Sequence, residues 1–298
     1  MTITTSESMI TAAEVWEFSS QEPVRRSFYA ETDPHDAQLA LERIQADLSP
    51  VVLDQGESDS ASNGSPGNAM LAVPFMIEGV LRAGLVLSIN CPPASMGAVE
   101  IWKRDQRDEL GLNGAVFSSL SRFASISRHV RFPRGSGLPG QCWENRRAVI
   151  VTGLGSAPNF MRAAGARAGG LDVGAALPVM TSEFELNSVI LLLSSKTTPI
   201  AQVFEIWDVD EEQQCLRNRH TTDSRYAETM EKTDEMVYLR GEGIVGKVWD
   251  EGVPLASDNV ASIETKRRNS FLASGLSTSI AWPIYVGETI KSVFVMLN

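Results

Sequence analysis

Cysteine is scarce in this chain: Cys91, Cys142 and Cys215 are spread over 298 positions. An odd, scattered set builds no disulfide framework and reads most simply as reduced thiols in a cytoplasmic protein. Histidine is equally thin. His35, His129 and His220 stand apart from any carboxylate or thiol at metal-ligand spacing, so no metal site is expected, and no Ser/His/Asp order can be singled out. Positive charge is in deficit, with 26 Lys and Arg against 37 Asp and Glu and a net charge of −11. That balance disfavours nucleic acid and anionic membranes, which need clustered cations. No apolar run approaches the roughly 18–20 residues of a membrane helix; the longest, residues 83–89 and 188–193, are strand-sized. Residues 1–7 lack the basic segment and apolar run of a secretory signal.

What the chain does have is repetition. Arg134-Gly135-Ser136-Gly137-Leu138-Pro139-Gly140-Gln141-Cys142-Trp143 returns as Arg240-Gly241-Glu242-Gly243-Ile244-Val245-Gly246-Lys247-Val248-Trp249. Val99-Glu100-Ile101-Trp102 returns as Phe204-Glu205-Ile206-Trp207, Ala176-Leu177-Pro178 as Ala281-Trp282-Pro283, and Ser188-Val189-Ile190-Leu191 as Ser292-Val293-Phe294-Val295. A period near 100 residues suits a duplicated domain and is too long for a solenoid. The landmarks define units at 97–196 and 200–298. A degenerate third copy is expected at 1–92, where Glu14-Val15-Trp16 and Ala72-Val73-Pro74 resemble the opening and closing landmarks. The glycine-rich segment is missing there. A helix stands in its place, with Asp33 as N-cap, Pro34 in the first turn and a stripe of Leu41, Ile44 and Leu48. A Ser/Gly/Asp/Asn-rich loop near 54–69 cannot bury a core and is expected to be disordered.

Within each full unit the patterning predicts an alternating opening strand and a closing hairpin. The nearly continuous apolarity of the last strand places it in mid-sheet. Between lies a helix-loop arm ended by Gly169-Gly170 or Gly275. Gly135-x-Gly137-x-x-Gly140 and its repeat satisfy a dinucleotide fingerprint on paper. They follow a charged, Pro-containing segment and precede little room for a helix, so a tight turn is the better reading. Asp208-x-Asp210-Glu211-Glu212 fails as a calcium loop, with Gln213 and Arg219 where Gly and Glu are required.

The whole order resembles that of GAF domains: strands, Gly-x-Gly-(Leu/Ile)-x-Gly-x-x-Trp, a short strand, an arm, Gly-Leu, a strand ending in Pro, then a hairpin. The match rests on Gly137-Leu138-Pro139-Gly140, Phe160-x-Arg162-Ala163-Ala164 and Ala176-Leu177-Pro178, and on Gly243-Ile244-Val245-Gly246, Gly275-Leu276 and Trp282-Pro283-Ile284. The resemblance implies an α+β fold of repeated units, each an antiparallel sheet packed against short helices and a helix-loop arm. It also implies a ligand cavity between sheet and arm, and a non-enzymatic regulatory role in sensing or signal transduction. Pocket candidates on that basis are Trp143, Phe160, Arg162 and Arg167 in the middle unit, and Trp249, Asp258, Asn259, Arg267 and Phe271 in the last. For each, packing the arm or facing water is the plainer alternative. No signature for cyclic nucleotides or a covalent chromophore can be placed, and no cofactor is named.

Two alternatives stay open. One is a protein-interaction scaffold, with Trp102 and Trp207 packing between units or against a partner or second copy. The other, disfavoured because the cysteines fall in different units, is a reductase of free methionine sulfoxide. With no output segment after the last strand, the signal is expected to pass through a partner or a change of oligomer.

Overall fold

The computed structural model describes residues 8–18, 22–54, 68–222 and 236–298. The chain forms three antiparallel sheets from three consecutive stretches. The first contains β1 (Ile10–Glu17), β2 (Val24–Tyr29), β3 (Val51–Asp54), β4 (Asn68–Ile77) and β5 (Val80–Asn90), with α1 (Pro34–Asp47) between β2 and β3. The second contains β6 (Gly97–Arg104), β7 (Leu110–Val116), β8 (Arg131–Phe132), β9 (Val149–Thr152), β10 (Leu171–Met180) and β11 (Leu186–Ser195), with helices α2 (Ser121–His129), α3 (Gly137–Asn145) and α4 (Ala163–Ala168). The third repeats that plan. Its strands are β12 (Val203–Asp210), β13 (Cys215–Thr221), β14 (Val237–Tyr238), β15 (Leu255–Ser257), β16 (Ser279–Val286) and β17 (Thr289–Leu297), and its helices are α5 (Gly243–Glu251), α6 (Val260–Ile263) and α7 (Arg268–Ser274).

The strand orders are β2-β1-β5-β4-β3, β8-β7-β6-β11-β10-β9 and β14-β13-β12-β17-β16-β15. Among the described residues the N-terminal sheet therefore follows the same path as the others, without the outermost short strand. Its α1 is capped as the sequence suggests, Asp33 accepting from the His35 N–H at 2.9 Å. Leu48 departs from expectation. It is the C-cap, with φ +48, and is exposed, so only Leu41 and Ile44 of the proposed stripe are buried. Of the loop expected near 54–69, Asp54 ends β3 and Asn68 opens β4; residues 55–67 lie outside the described residues.

Each sheet is buried on both faces, which explains the uninterrupted apolarity of β5, β11 and β17. Successive side chains point to opposite faces of a strand. In β11, Val189, Leu191 and Leu193 pack under the unit's own helices, whereas Ile190 and Leu192 enter a core shared by all three sheets. In β17 the same split sets Val293 and Val295 against Phe294 and Met296. Val15, Leu71 and Leu85 of the first sheet, Ile101 and Leu177 of the second, and Phe204, Ile206 and Trp282 of the third all belong to the shared core. This corrects the scaffold expectation. Trp102 and Trp207 face their own helices, and the residues between units are Ile101, Phe204 and Ile206.

The sheets also meet edge to edge around the core. β3 lies against β7 and β6, and β15 lies against β2 and β1. The remaining junction is closed by Arg219 of β13, which donates to the Ala148 carbonyl at 2.8 Å and pairs with Asp208 at 2.9 Å. Burial raises the Asp208 pKa, with Arg219 opposing the shift. Three similar junctions thus close a ring within one chain. At one end of the ring Pro74, Pro178 and Pro283 converge on a pocket of about 40 Å³. Each proline lies two residues past its strand's last partner on one side (Ala72, Ala176, Ala281), where a missing N–H costs no ladder bond there.

Because the core is common property, the sheets are expected to unfold together. Truncating Phe294→Ala should cost about 3–5 kcal/mol and move a single transition seen alike by far-UV circular dichroism and tryptophan fluorescence; separate transitions would contradict a shared core.

Candidate functional site

The helix-facing side of each sheet begins with an awkward residue. Strand alternation carries Glu100 and Trp102 of β6, and Glu205 and Trp207 of β12, inward under the arm. An unpaired carboxylate there would be prohibitively desolvated. Each is paired instead. The Trp102 indole donates to Glu100 Oε2 at 2.9 Å, and Arg162, at the start of α4, donates from Nη1 to Oε1 at 2.5 Å and from Nη2 to Oε2 at 2.8 Å. Arg162 Nη1 also donates to Ser127 Oγ. Rings of Trp102, Phe123, Phe132 and Phe160 stand 4.6–5.6 Å from the guanidinium carbon, a cation–π enclosure. The Arg162 and Glu100 side chains are 1% and 0% exposed.

The third unit repeats this with different supports. Trp207 donates to Glu205 Oε2 at 2.9 Å, and Arg267 Nη1 reaches both Glu205 oxygens at 2.8 Å. Arg267 Nε donates to Tyr238 Oη at 2.9 Å, and Tyr238 donates to Glu264 Oε2 at 2.6 Å. Glu264 Oε1 accepts from the Ile244 N–H at 2.8 Å, tying the arm to the start of α5. Burial drives the Tyr238 hydroxyl far above its ordinary pKa, so it stays a donor. Trp207, Tyr238 and Phe271 rings surround the guanidinium at 4.9–5.4 Å.

The glycine repeat sets up this arrangement sterically. Gly137 and Gly243 have φ of +61 and +57, and a Cβ on Gly140 or Gly246 would sit 2.2 Å from the carbonyl oxygen of Pro133 or Leu239. The Gly135 and Gly241 N–H groups are spent on the Gly140 and Gly246 carbonyls at 2.9 Å, which closes a turn and leaves those donors unavailable to a phosphate.

Of the residues named from sequence, Phe160 and Arg162 come together around Glu100, and Arg267 and Phe271 around Glu205. Trp143 and Trp249 are buried in the arm-side cores, the latter with the Arg240 guanidinium 4.1 Å over its ring. Arg167 is exposed and donates to the Gly155 carbonyl, Asp258 is exposed, and Asn259 caps α6 through the Ser262 N–H at 3.2 Å. Sequence reasoning passed over Glu100, Glu205, Tyr238 and Glu264. A signal for the first two exists: a glutamate two residues before a tryptophan, with an arginine 62 positions later, occurs in both units.

The N-terminal unit carries the same opening pair with other surroundings. Glu14 is 1% exposed; Trp16 donates to its Oε2 at 3.0 Å, and the Thr32 N–H to its Oε1 at 3.0 Å. The guanidinium here comes from the neighbouring strand. Arg25 gives one nitrogen to Glu14 at 3.3 Å and the other to Glu31 at 3.1 Å. Residues 55–67, between the strands that correspond to those flanking the arms, contain no Lys or Arg. Trp16 is half-buried where Trp102 and Trp207 are fully buried. Beside it opens a cleft of about 640 Å³, lined by Glu14, Trp16, Glu22, Arg25, Leu41 and Glu42 among others.

Sheet order, glycine turn and arm recur as one repeated α+β unit, and the solved structures similar to this chain include GAF domains. The GAF domain of A. aeolicus nlh2 in an inactive state is 26% identical over 33% of this chain and 58% of its own, with a TM-score of 0.27. The GAF domain of an Acinetobacter phosphoenolpyruvate-protein phosphotransferase is 14% identical over 33% and 54%, TM-score 0.25. A free methionine-R-sulfoxide reductase from Neisseria meningitidis, in complex with its substrate, is 20% identical over 35% and 53%, TM-score 0.26. The chain thus spans little more than half the length of each. No protein-family model and no curated protein matches the sequence.

Removing one member of a buried pair leaves the other charge uncompensated. Arg162→Met and Glu100→Gln should each cost about 3–5 kcal/mol, whereas the double substitution should cost clearly less than their sum. A denaturation cycle tests this, and strictly additive losses would contradict the pairing.

Proposed function

We propose that this protein is a non-enzymatic regulatory module that works by binding, as sensory GAF domains do. Its two complete units serve as a frame, and the binding cleft is the one beside the strand glutamate of the N-terminal unit. One observation supports this above others: where a ligand would lie between sheet and arm, both complete units hold their own arginine, bonded to a strand glutamate and ringed by aromatics. The cleft beside Glu14 and Trp16 occupies the corresponding side of the first sheet and retains space for a small molecule or a partner's side chain. Its volume falls within the range of ligand sites.

A cysteine-based reductase reading is less well supported. Cys91, Cys142 and Cys215 are buried, and burial pushes the Cys142 thiol well above its ordinary pKa, whereas a reactive thiolate needs exposure and a lowered pKa. In a native-state assay with an aromatic disulfide reagent, none of the three thiols should react until denaturant is added. Rapid labelling of the folded protein would reopen that chemistry.

The binding reading is tested by a thermal-shift screen of metabolites on the full chain, repeated on Gln38→Trp, which places a bulky ring on the α1 wall of the cleft. Stabilising compounds should lose their effect in the variant. Shifts that persist unchanged with the cleft blocked would overturn the reading.

A further inference from the structure

In two of the three units the same constellation ends in the same way. A strand glutamate, held by the indole two residues on, receives a guanidinium delivered by the arm. In the remaining unit the glutamate and the indole are in place, and the chain supplies no equivalent cation from the arm position, since residues 55–67 contain neither Lys nor Arg. Arg25 is a partial substitute. It approaches from β2, gives Glu14 a single contact at 3.3 Å, and divides its fork with Glu31, whereas Arg162 turns both terminal nitrogens to Glu100. The Arg25 side chain is also 34% exposed, against 1% for Arg162.

The surroundings favour a further cation. Among the described residues, Glu14, Glu22, Glu31 and Glu42 line the cleft against Arg25 as its one cationic residue, and Trp16 is only half-buried. A planar guanidinium matches a carboxylate edge through two parallel hydrogen bonds and also stacks on an indole, whereas an ammonium is a compact, strongly hydrated point charge. On the footing of the binding cleft proposed above, we infer that the N-terminal unit takes a guanidinium group from outside the chain at Glu14 and Trp16. The incoming group stands where Arg162 and Arg267 stand in the other two units and competes with Arg25 for Glu14. Its source is either a free guanidine compound or an arginine side chain presented by a polypeptide.

Isothermal titration of the full chain tests this with L-argininamide, L-lysinamide of the same charge, methylguanidinium, and a short peptide centred on one arginine. L-argininamide should bind once per chain and about tenfold or more tighter than L-lysinamide, as expected where a planar fork is read rather than a charge. Arg25→Ala, which removes the internal competitor, should tighten binding several-fold. Glu14→Gln should abolish it. Because Glu14 is buried, the exposed Glu42→Lys serves as a second variant and should weaken binding without lowering the melting temperature. A tighter peptide than amide identifies a polypeptide source; the reverse order, with methylguanidinium competing, identifies a small molecule. Equal affinity for the two amides, or binding unchanged in both Glu14→Gln and Glu42→Lys, overturns the guanidinium assignment. If other compounds then still show cleft-dependent thermal shifts, the binding module stands and only its ligand class is wrong.

Discussion

Everything in this molecule follows from sheets that must be covered twice. A strand whose alternate residues are both apolar has no face to offer water, and here each central strand contributes one set of side chains to its own helices and the other to a core shared among three sheets. The sheets cannot separate without exposing Leu85, Leu192, Phe294 and their neighbours. Their edges follow, with each sheet's flank laid against the next until the ring closes. The helix-facing sides are then the only faces on which the three units are free to differ.

They differ in how they satisfy one buried carboxylate. A buried ion pair gives little net stability, since desolvation offsets much of the attraction, yet losing one partner is costly. Once a glutamate is fixed at that strand position, a cation must accompany it. In the second and third units the arm provides it and aromatic rings surround the guanidinium. In the first, a strand arginine meets the requirement in part, and a cleft lies beside it. The same residue types thereby build an internal fastening between sheet and arm in both the second and the third unit.

Much of this was legible in the sequence wherever the signal was local. The glycine turns, the helix stops at Gly170 and Gly275 (φ +66 and +76), and the α1 cap all reflect conformational preferences that a few neighbouring residues determine. The mid-sheet position of β11 and β17 was legible from composition alone. What escaped was non-local. Glu100 and Arg162 lie 62 positions apart, and taken singly each has an ordinary explanation, one as strand patterning and the other as a solvated helix residue. The facing of Trp102 was misjudged because a large aromatic suits an interface. The buried need of Glu100 decides the matter, since it must meet the arm and the tryptophan on its face goes with it. Leu48 illustrates a smaller case, in which helical periodicity ran one residue past the end of α1, onto the left-handed cap itself.

The ring has a consequence for how such a protein responds to its own abundance. Three separate subunits meeting through these junctions would assemble or fall apart as their concentration rose and fell. Joined by short connections, each unit sees the next at an effective concentration in the millimolar range. Dilution therefore leaves the junctions intact, and the units are held at fixed stoichiometry although each has diverged in what its outer face carries. A single gene product of this design presents three unlike faces in a fixed order, which three identical subunits related by symmetry could not do.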